Sequence, residues 1–489
     1  MDTLFNHPLV LMSVVGLPVF GIAAKMLGQS FARIAKWYLY IAVFAVVIVM
    51  DSIFFPFIGG KDWFFRFAIE LSLIACILWW AFEAKDGEVA KLVREVFKRP
   101  LVIAASIFML VVLLSSFFAY DFHAAFWSNY ERGEGTFQML HYFAFFLLAV
   151  ALLKNEVDWK RIFGFSLVAA GVMIVYGLFA NFGVATFIGP NGGGAVPGNW
   201  FAKILSYRFE GTLGNPAYVA PYLMFSIFFA AYLWLSNRKP SSPAARHWAY
   251  GLVIAVFLLF FIASQTRGAF IGLGVGIGVL LVYLAFSKSR LLRKWSLALI
   301  VVGLVLAGGG YAVRNLPAVS NIPEGRLLQL SFSDATAQSR FWVWGEAWQG
   351  FLERPILGWG EENFTAVYDK FFSPNFYIPG QQTETWFDRA HSVFFDYLSE
   401  IGILGLLAYL GIFVVFYVEF FKKTGRKANE GRDHETASVV ERGLMVSLPV
   451  MYLVQGAAIF DVLPMYIPLF LFLAFSAYYF QNKNVNIKN

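Results

Sequence analysis

The chain has 489 residues, 59% of them apolar and 14% charged, where an ordinary soluble domain is about 45–50% apolar and about 25% charged. That composition excludes a soluble enzyme and predicts a polytopic membrane unit, at about 20 residues per crossing, with at most one sizeable segment outside the bilayer. The net charge is +7, and a single cysteine, Cys76, lies in an apolar run, which excludes an internal disulfide and a cysteine-based metal cluster.

Apolar stretches of spanning length are predicted at 8–24, 37–58, 63–82, 101–119, 137–153, 162–188, 216–235, 248–264, 268–286, 295–313, 392–421, 443–463 and 464–480. The expected fold is therefore all-α, a helical bundle of about 12–13 transmembrane helices with one large outer loop containing short helices. The first stretch is interrupted by Pro18; it lacks the basic start of a signal peptide and leads straight into a second span, so it is read as a helix. Basic residues set the orientation. The odd-numbered connections and the C-terminal tail carry 26 of the 38 lysines and arginines, and six of the other 12 fall in the segment from Arg314 to Ala390. Because lysine and arginine are retained on the cytoplasmic side, the N-terminus is predicted outside, the C-terminus cytoplasmic and the long loop outside. The positive charge is then a topology signal, and a nucleic-acid partner is not implied. Within the loop, Ser339 followed by Phe341, Trp344, Trp348, Phe351 and Leu352 predicts an N-capped amphipathic helix that ends at Pro355 and the Gly358-Trp359-Gly360 turn. Such a helix fits the bilayer surface or a lid over a site.

Candidate functional residues gather at the ends predicted to lie outside. In chain order, Tyr130-Glu131-Arg132-Gly133-Glu134-Gly135 precedes the fifth stretch, where it is either a loop cap or a source of acid and base. Tyr207-Arg208-Phe209-Glu210-Gly211-Thr212-Leu213-Gly214-Asn215-Pro216 leads into the seventh, with a proline near the helix start. Ser264-Gln265-Thr266-Arg267-Gly268-Ala269 joins two stretches with almost no loop; an arginine there either snorkels to lipid headgroups or needs a water-filled cavity or an anionic partner. Arg340 opens the amphipathic segment, and Asp388-Arg389-Ala390-His391-Ser392 closes the loop. Several arginines and a histidine suit a diphosphate. Guanidinium groups grip phosphate oxygens at two points and remain charged, while a neutral histidine can take the proton of an attacking hydroxyl. No Asp-x-Asp pair marks a divalent-cation site on that face, so neither a metal nor a cofactor is expected.

In this order the residues resemble the bacterial O-antigen ligase and O-antigen polymerase superfamily. Arg208 with Gly211-Thr212-Leu213-Gly214-Asn215-Pro216 is similar to the family's Arg…Gly-Thr-x-Gly-Asn-Pro, and Ser264 to Ala269 to its Ser-x-x-Arg-Gly-Ala turn. Ser339-Arg340-Phe341-Trp342 follows, then Pro355 to Phe364, similar to Pro-hydrophobic-x-Gly-x-Gly-x-x-x-Phe. Last come Ala390-His391-Ser392 and Glu400-Ile401-Gly402-Ile403-Leu404-Gly405, where Ser392 stands in place of the more usual Asn. The resemblance covers about residues 207–421 and divides the chain into N-terminal helices (1–206), an O-antigen ligase-like core (207–421, with outer loop 314–391) and a cytoplasmic loop with C-terminal helices (422–489).

The resemblance implies a metal-independent, inverting glycosyltransferase of the bacterial cytoplasmic membrane. Its partners would be the bilayer, an undecaprenyl-diphosphate-linked oligosaccharide as donor, and a glycolipid, glycan or protein acceptor. His391, Arg267 and Arg208 are its implied catalytic residues; Arg340, Arg389 and Arg132 are assigned to substrate binding. A polysaccharide polymerase and a protein O-oligosaccharyltransferase share the same chemistry and stay open. A transporter of a lipid-linked sugar or small anion is the alternative from another class; it predicts repeated spans and charges at mid-bilayer, and no clear repeat is present.

Overall fold

Within lipid each crossing segment must satisfy its own backbone hydrogen bonds, which makes a helix of every long apolar run. The computed structural model describes residues 10, 12–129, 132–184, 195–201, 203–204, 208–237, 244–316, 335–374, 386–428 and 436–482; among them every regular element is helical. In chain order these are α1 (Leu17–Met26), α2 (Phe31–Ala42), α3 (Gly59–Phe82), α4 (Glu88–Phe97), α5 (Pro100–Phe117), α6 (Phe122–Trp127), α7 (Thr136–Leu152), α8 (Glu156–Asn181), α9 (Pro216–Ser236), α10 (Ala244–Ala263), α11 (Arg267–Ala285), α12 (Arg290–Val313), α13 (Ala335–Glu353), α14 (Phe364–Phe371), α15 (Val393–Glu400), α16 (Gly402–Ala428), α17 (Thr436–Gly456) and α18 (Leu463–Asn482). Among the described residues nine helices are long and apolar enough to cross a membrane, with α7 and Ser13–Met26 as shorter apolar helices. The chain is an all-helical, polytopic membrane bundle.

Burial orders the helices within it. The spanning window of α18 is 89% buried, whereas that of α12 is 6% buried; α18 is a central post and α12 presents its apolar side chains outward. Aromatic rings fill the space around the post: Phe163, Phe229, Tyr232 and Phe475 meet at centroid distances of 4.4–5.5 Å.

Three predicted spans are built differently. The 37–58 stretch is α2 followed by a 3₁₀ turn at Val43–Val47 and then non-helical chain, in which Asp51, Ser52 and Pro56 keep the helix from resuming. The 392–421 stretch breaks at Gly402, whose φ of +69° ends α15 and starts α16. The 443–463 stretch is helical only to Gly456, and Ile459 and Phe460 lie in the turn beyond it.

Cross-contacts sort the connections into two sets. Lys25 pairs with Glu83 at 2.5 Å, Lys36 with Asp158 at 2.7 Å, and Lys160 donates to the Ser236 carbonyl at 3.1 Å. At the other end Lys61 donates to the Thr212 carbonyl at 2.7 Å, the Phe209 amide to the Ala263 carbonyl at 3.0 Å, and the Val393 amide to the Ile459 carbonyl at 3.1 Å. Each set joins connections that the charge pattern assigns to one common side.

The described parts of the long segment have a small core of their own, with Val343, Ala347, Trp359, Phe364, Val367, Tyr368, Phe387 and Ala390 buried together. Helix α13 ends at Glu353 as expected. It already runs from Ala335, so Ser339 is an interior residue and not its cap. Its inward face is Val343, Glu346, Ala347 and Gly350, while Phe341, Trp348 and Leu352 are exposed. Of the predicted apolar stripe, Phe341, Trp348 and Leu352 therefore face outward, where they can meet a bilayer surface, while Trp344 packs against the loop core.

Candidate active site

The segment that carries Arg208 folds as its residue types dictate. Gly211–Leu213 form a 3₁₀ turn, Gly214 takes φ +68°, the Asn215 side chain accepts from the Ala217 amide at 2.9 Å, and Pro216 begins α9. A Cβ at Gly214 would lie 2.4 Å from the Phe57 ring, so only glycine fits. Thr212 donates to the Val46 carbonyl at 2.7 Å, and the buried Lys61 donates to the Ile48 and Thr212 carbonyls at 2.5 and 2.7 Å. Arg208 is thereby placed against the chain that follows α2.

Arg267 is the first residue of α11 after the turn Ser264-Gln265-Thr266, in which Gln265 has φ +51°. The Thr266 hydroxyl donates to the Pro216 carbonyl at 3.0 Å and ties this turn to the start of α9. Arg340 projects from the first turns of α13. From the same helix the Trp344 indole donates to the Ala390 carbonyl at 2.9 Å, while the Ala390 amide donates to Asp396 at 2.6 Å. Both backbone groups of the residue before His391 are thus held.

His391 has φ +56°, and its ring meets Phe387 and Phe460 edge to face at 5.5 and 5.2 Å. Nδ1 lies 3.1 Å from the Arg389 carbonyl. A carbonyl only accepts, so this contact fixes the tautomer with hydrogen on Nδ1 and leaves the Nε2 lone pair available. Burial, only partly opposed by that hydrogen bond, joins the positive charge of Arg340 and Arg132 in pushing the imidazole down to about 4. His391 is consequently neutral near pH 7.

Arg132 grips Asp388 at two points, Nε to Oδ2 at 2.5 Å and Nη2 to Oδ1 at 3.0 Å. Its third nitrogen donates to the Tyr218 hydroxyl at 3.3 Å and its plane lies over Phe460. These residues border one cavity of about 460 Å³, lined among others by Arg132, Arg208, Arg340, Asp388, His391 and Phe460. A second lobe of about 150 Å³ adjoins it, sharing Arg208, Ala217, Arg340 and Ile459 and adding Arg267, Thr266 and Gln455. Five of the six expected site residues are brought together here. Tyr130, Glu131 and Tyr207 lie outside the described residues.

Arg389 is placed apart. It does not line either lobe but is buried, donating to Glu400 at 2.9 Å and paired with Glu362. Sequence reasoning also passed over contributors: Asp388 as the partner of Arg132, Tyr218, the chain Phe55–Ile58, Phe460 and Gln455. The last two lay in or beside stretches read as uninterrupted spans; the Gly456 and Asp461-x-x-Pro464 punctuation was the available signal. Among the described residues no group of three or more His, Cys, Asp or Glu is placed to hold a metal ion.

Residues 252–410 match the model of a family described as O-antigen ligase. The match takes in Arg267, Arg340 and His391; Arg132, Arg208 and Gln455 lie beyond its bounds. No curated protein matches the chain. With its apolar helices the chain is a multi-pass membrane protein, and its residues 252–410 are similar to the O-antigen ligase family.

Proposed function

We propose that the protein transfers a glycan from a polyprenyl diphosphate to an acceptor hydroxyl, at the end of the bundle that bears the long loop and on the outer face of the cytoplasmic membrane. One observation carries the reading: Arg132, Arg208, Arg340 and His391 line a single cavity, and Arg267 lines the lobe that continues it.

The chemistry follows from those groups. The acceptor oxygen attacks the anomeric carbon while His391 Nε2 takes its proton. The bond from that carbon to the diphosphate oxygen breaks, and the diphosphate leaves with the electron pair. Arginines supply the stabilising positive charge where it develops, so a divalent cation is not required, and single displacement inverts the anomeric centre. Arg132 is already paired with Asp388 and is assigned to orienting the His391 side of the cavity. Arg389, held by two glutamates, is assigned to supporting the loop that carries His391.

A base held near 4 is a weak proton acceptor at neutral pH. An anionic donor beside Arg340 and Arg132 offsets the share of the depression that those two charges cause and so raises the imidazole as the complex forms, while the larger contribution of burial remains. Donor binding thus prepares the base.

The test is transfer by purified protein from a defined polyprenyl-diphosphate oligosaccharide. Activity is expected to survive EDTA. Arg267→Ala should weaken donor binding, and Arg267→Lys should restore little of it, since an ammonium lacks the planar two-point grip. Activity lost on chelation and regained with magnesium or manganese overturns the metal-free route; normal donor affinity and turnover in Arg267→Ala returns that arginine to the bilayer headgroups.

A further inference from the structure

Gln455 is the penultimate residue of α17 and is 1% exposed. Among the described residues neither its amide nitrogen nor its amide oxygen has a hydrogen-bond partner, although it lines the lobe that holds Arg267. Its position is built by close helix packing. On α11, Gly268, Gly272 and Gly276 share one face; a Cβ at Gly272 would lie 2.7 Å from the Met451 carbonyl oxygen and 3.0 Å from the Gln455 Cβ. That close approach sets Gln455 beside the start of α11, where Arg267 stands.

Buried amides are kept with both ends unpaired only rarely, because each end carries a desolvation cost. The neighbouring guanidiniums are donors alone, so they cannot serve the amide nitrogen, and none of them donates to the amide oxygen. A bare diphosphate offers acceptors alone, so it pairs the amide nitrogen and leaves the amide oxygen unmet. A glycosyl diphosphate meets both: beside the phosphate oxygen on the anomeric carbon, the adjacent ring carbon carries a hydroxyl or an acetamido N–H. We infer that Gln455 is a specificity-determining contact to the sugar joined to the diphosphate, its nitrogen donating to a phosphate oxygen and its oxygen accepting from the substituent on the ring carbon next to the anomeric centre. This rests on the lipid-diphosphate reading above.

The experiment measures binding to full-length protein in nanodiscs with three probes: a short polyprenyl diphosphate without sugar, one bearing a 2-acetamido sugar, and its 2-deoxy counterpart. The unaltered protein is expected to bind the sugar-free probe and to prefer the 2-acetamido over the 2-deoxy probe by about tenfold or more. Gln455→Met, close in shape and without polar atoms, should reduce that preference to about twofold or less, keep sugar-free binding within about tenfold, and melt at or above the unaltered protein. Gln455→Glu keeps the acceptor and adds a negative charge; it should retain the preference while weakening all three probes. No preference in the unaltered protein, or a preference unchanged in Gln455→Met, overturns the role of Gln455 alone. Failure of the sugar-free probe to bind the unaltered protein overturns the lipid-diphosphate reading itself and this inference with it.

Discussion

At the scale of single residues, the neutral state of His391 depends on its surroundings. The positive-φ backbone at His391 is uncommon outside glycine and is costly to hold, and it is retained here by the Trp344 and Asp396 bonds to Ala390. If His391 is the base, the free protein loses activity only as the imidazole protonates. With the group at about 4, kcat/KM should stay level from neutral pH downward and fall on the acid side near that value. The acid limb of kcat should lie higher, because bound diphosphate offsets Arg340 and Arg132. Coincident acid limbs in the two profiles would remove the charge coupling, and normal turnover in both His391→Ala and His391→Gln would remove the base. Arg389 calls for a different measurement. Removing it leaves Glu362 and Glu400 buried without their cation, and breaking a buried pair typically costs about 3–5 kcal/mol. Arg389→Ala should therefore lower the melting temperature and folded yield, and the folded fraction should retain donor affinity. The sequence placed Arg389 and His391 two positions apart without separating them, since which of two neighbouring side chains faces a cavity is decided by the αL turn at His391.

At the scale of elements, the site depends on how α15 and the turn after α13 interlock. Gly358 and Gly402 both have positive φ, and their backbones touch: a Cβ on Gly358 would lie 2.4 Å from the Glu400 carbonyl oxygen, and one on Gly402 2.3 Å from that of Ile356. The Trp359 and Gly360 amides donate across this contact to the Ser399 and Glu400 carbonyls at 3.0 and 2.7 Å. Gly402→Ala forces an L-residue into the left-handed region, worth about 1–3 kcal/mol before any clash, and should destabilise the loop core and reduce transfer together. Thermal unfolding and activity matching the unaltered protein would show that the interlock is not needed. The Gly358-Trp359-Gly360 turn was legible in the sequence, whereas the break at Gly402 lay inside a stretch read as one span. That the two turns are each other's neighbours was not legible, because close backbone approach between segments distant in sequence leaves no local periodicity. The same reason explains α13: its apolar residues were legible, but a helix with Trp and Phe on most of its surface has two plausible inward faces, and only the partners Trp359, Val367 and Ala390 select Val343 and Ala347.

At the scale of the whole molecule, hydropathy and charge made most of the bundle legible, and the departures fall where crossing segments contribute to the cavity. The 37–58, 392–421 and 443–463 stretches each stop short of a full helix, and each donates cavity residues or their supports: Phe57 and Ile58; α15, whose Asp396 holds the residue before His391; Ile459 and Phe460. Hydropathy registers apolar length, and an aromatic turn bordering a binding site is as apolar as a helix. The two sets of cross-contacts agree with the alternation read from charge, since Lys25 with Glu83 and Lys36 with Asp158 link one set of connections while Lys61 with Thr212 and Arg132 with Asp388 link the other. The excess of lysine and arginine lies at the end opposite the cavity, and the retention of basic loops on the cytoplasmic side predicts a cavity that faces outside. Single cysteines introduced at exposed positions of α13, such as Gln349 or Leu352, with Cys76 replaced, should therefore react with an impermeant thiol reagent in intact cells. Cysteines at Lys91 or Lys98 of the opposite set should react only after permeabilisation. The reverse pattern would put the arginine-lined cavity on the cytoplasmic side and end the proposal of transfer at the outer face, while leaving the cavity's fitness for a diphosphate untouched.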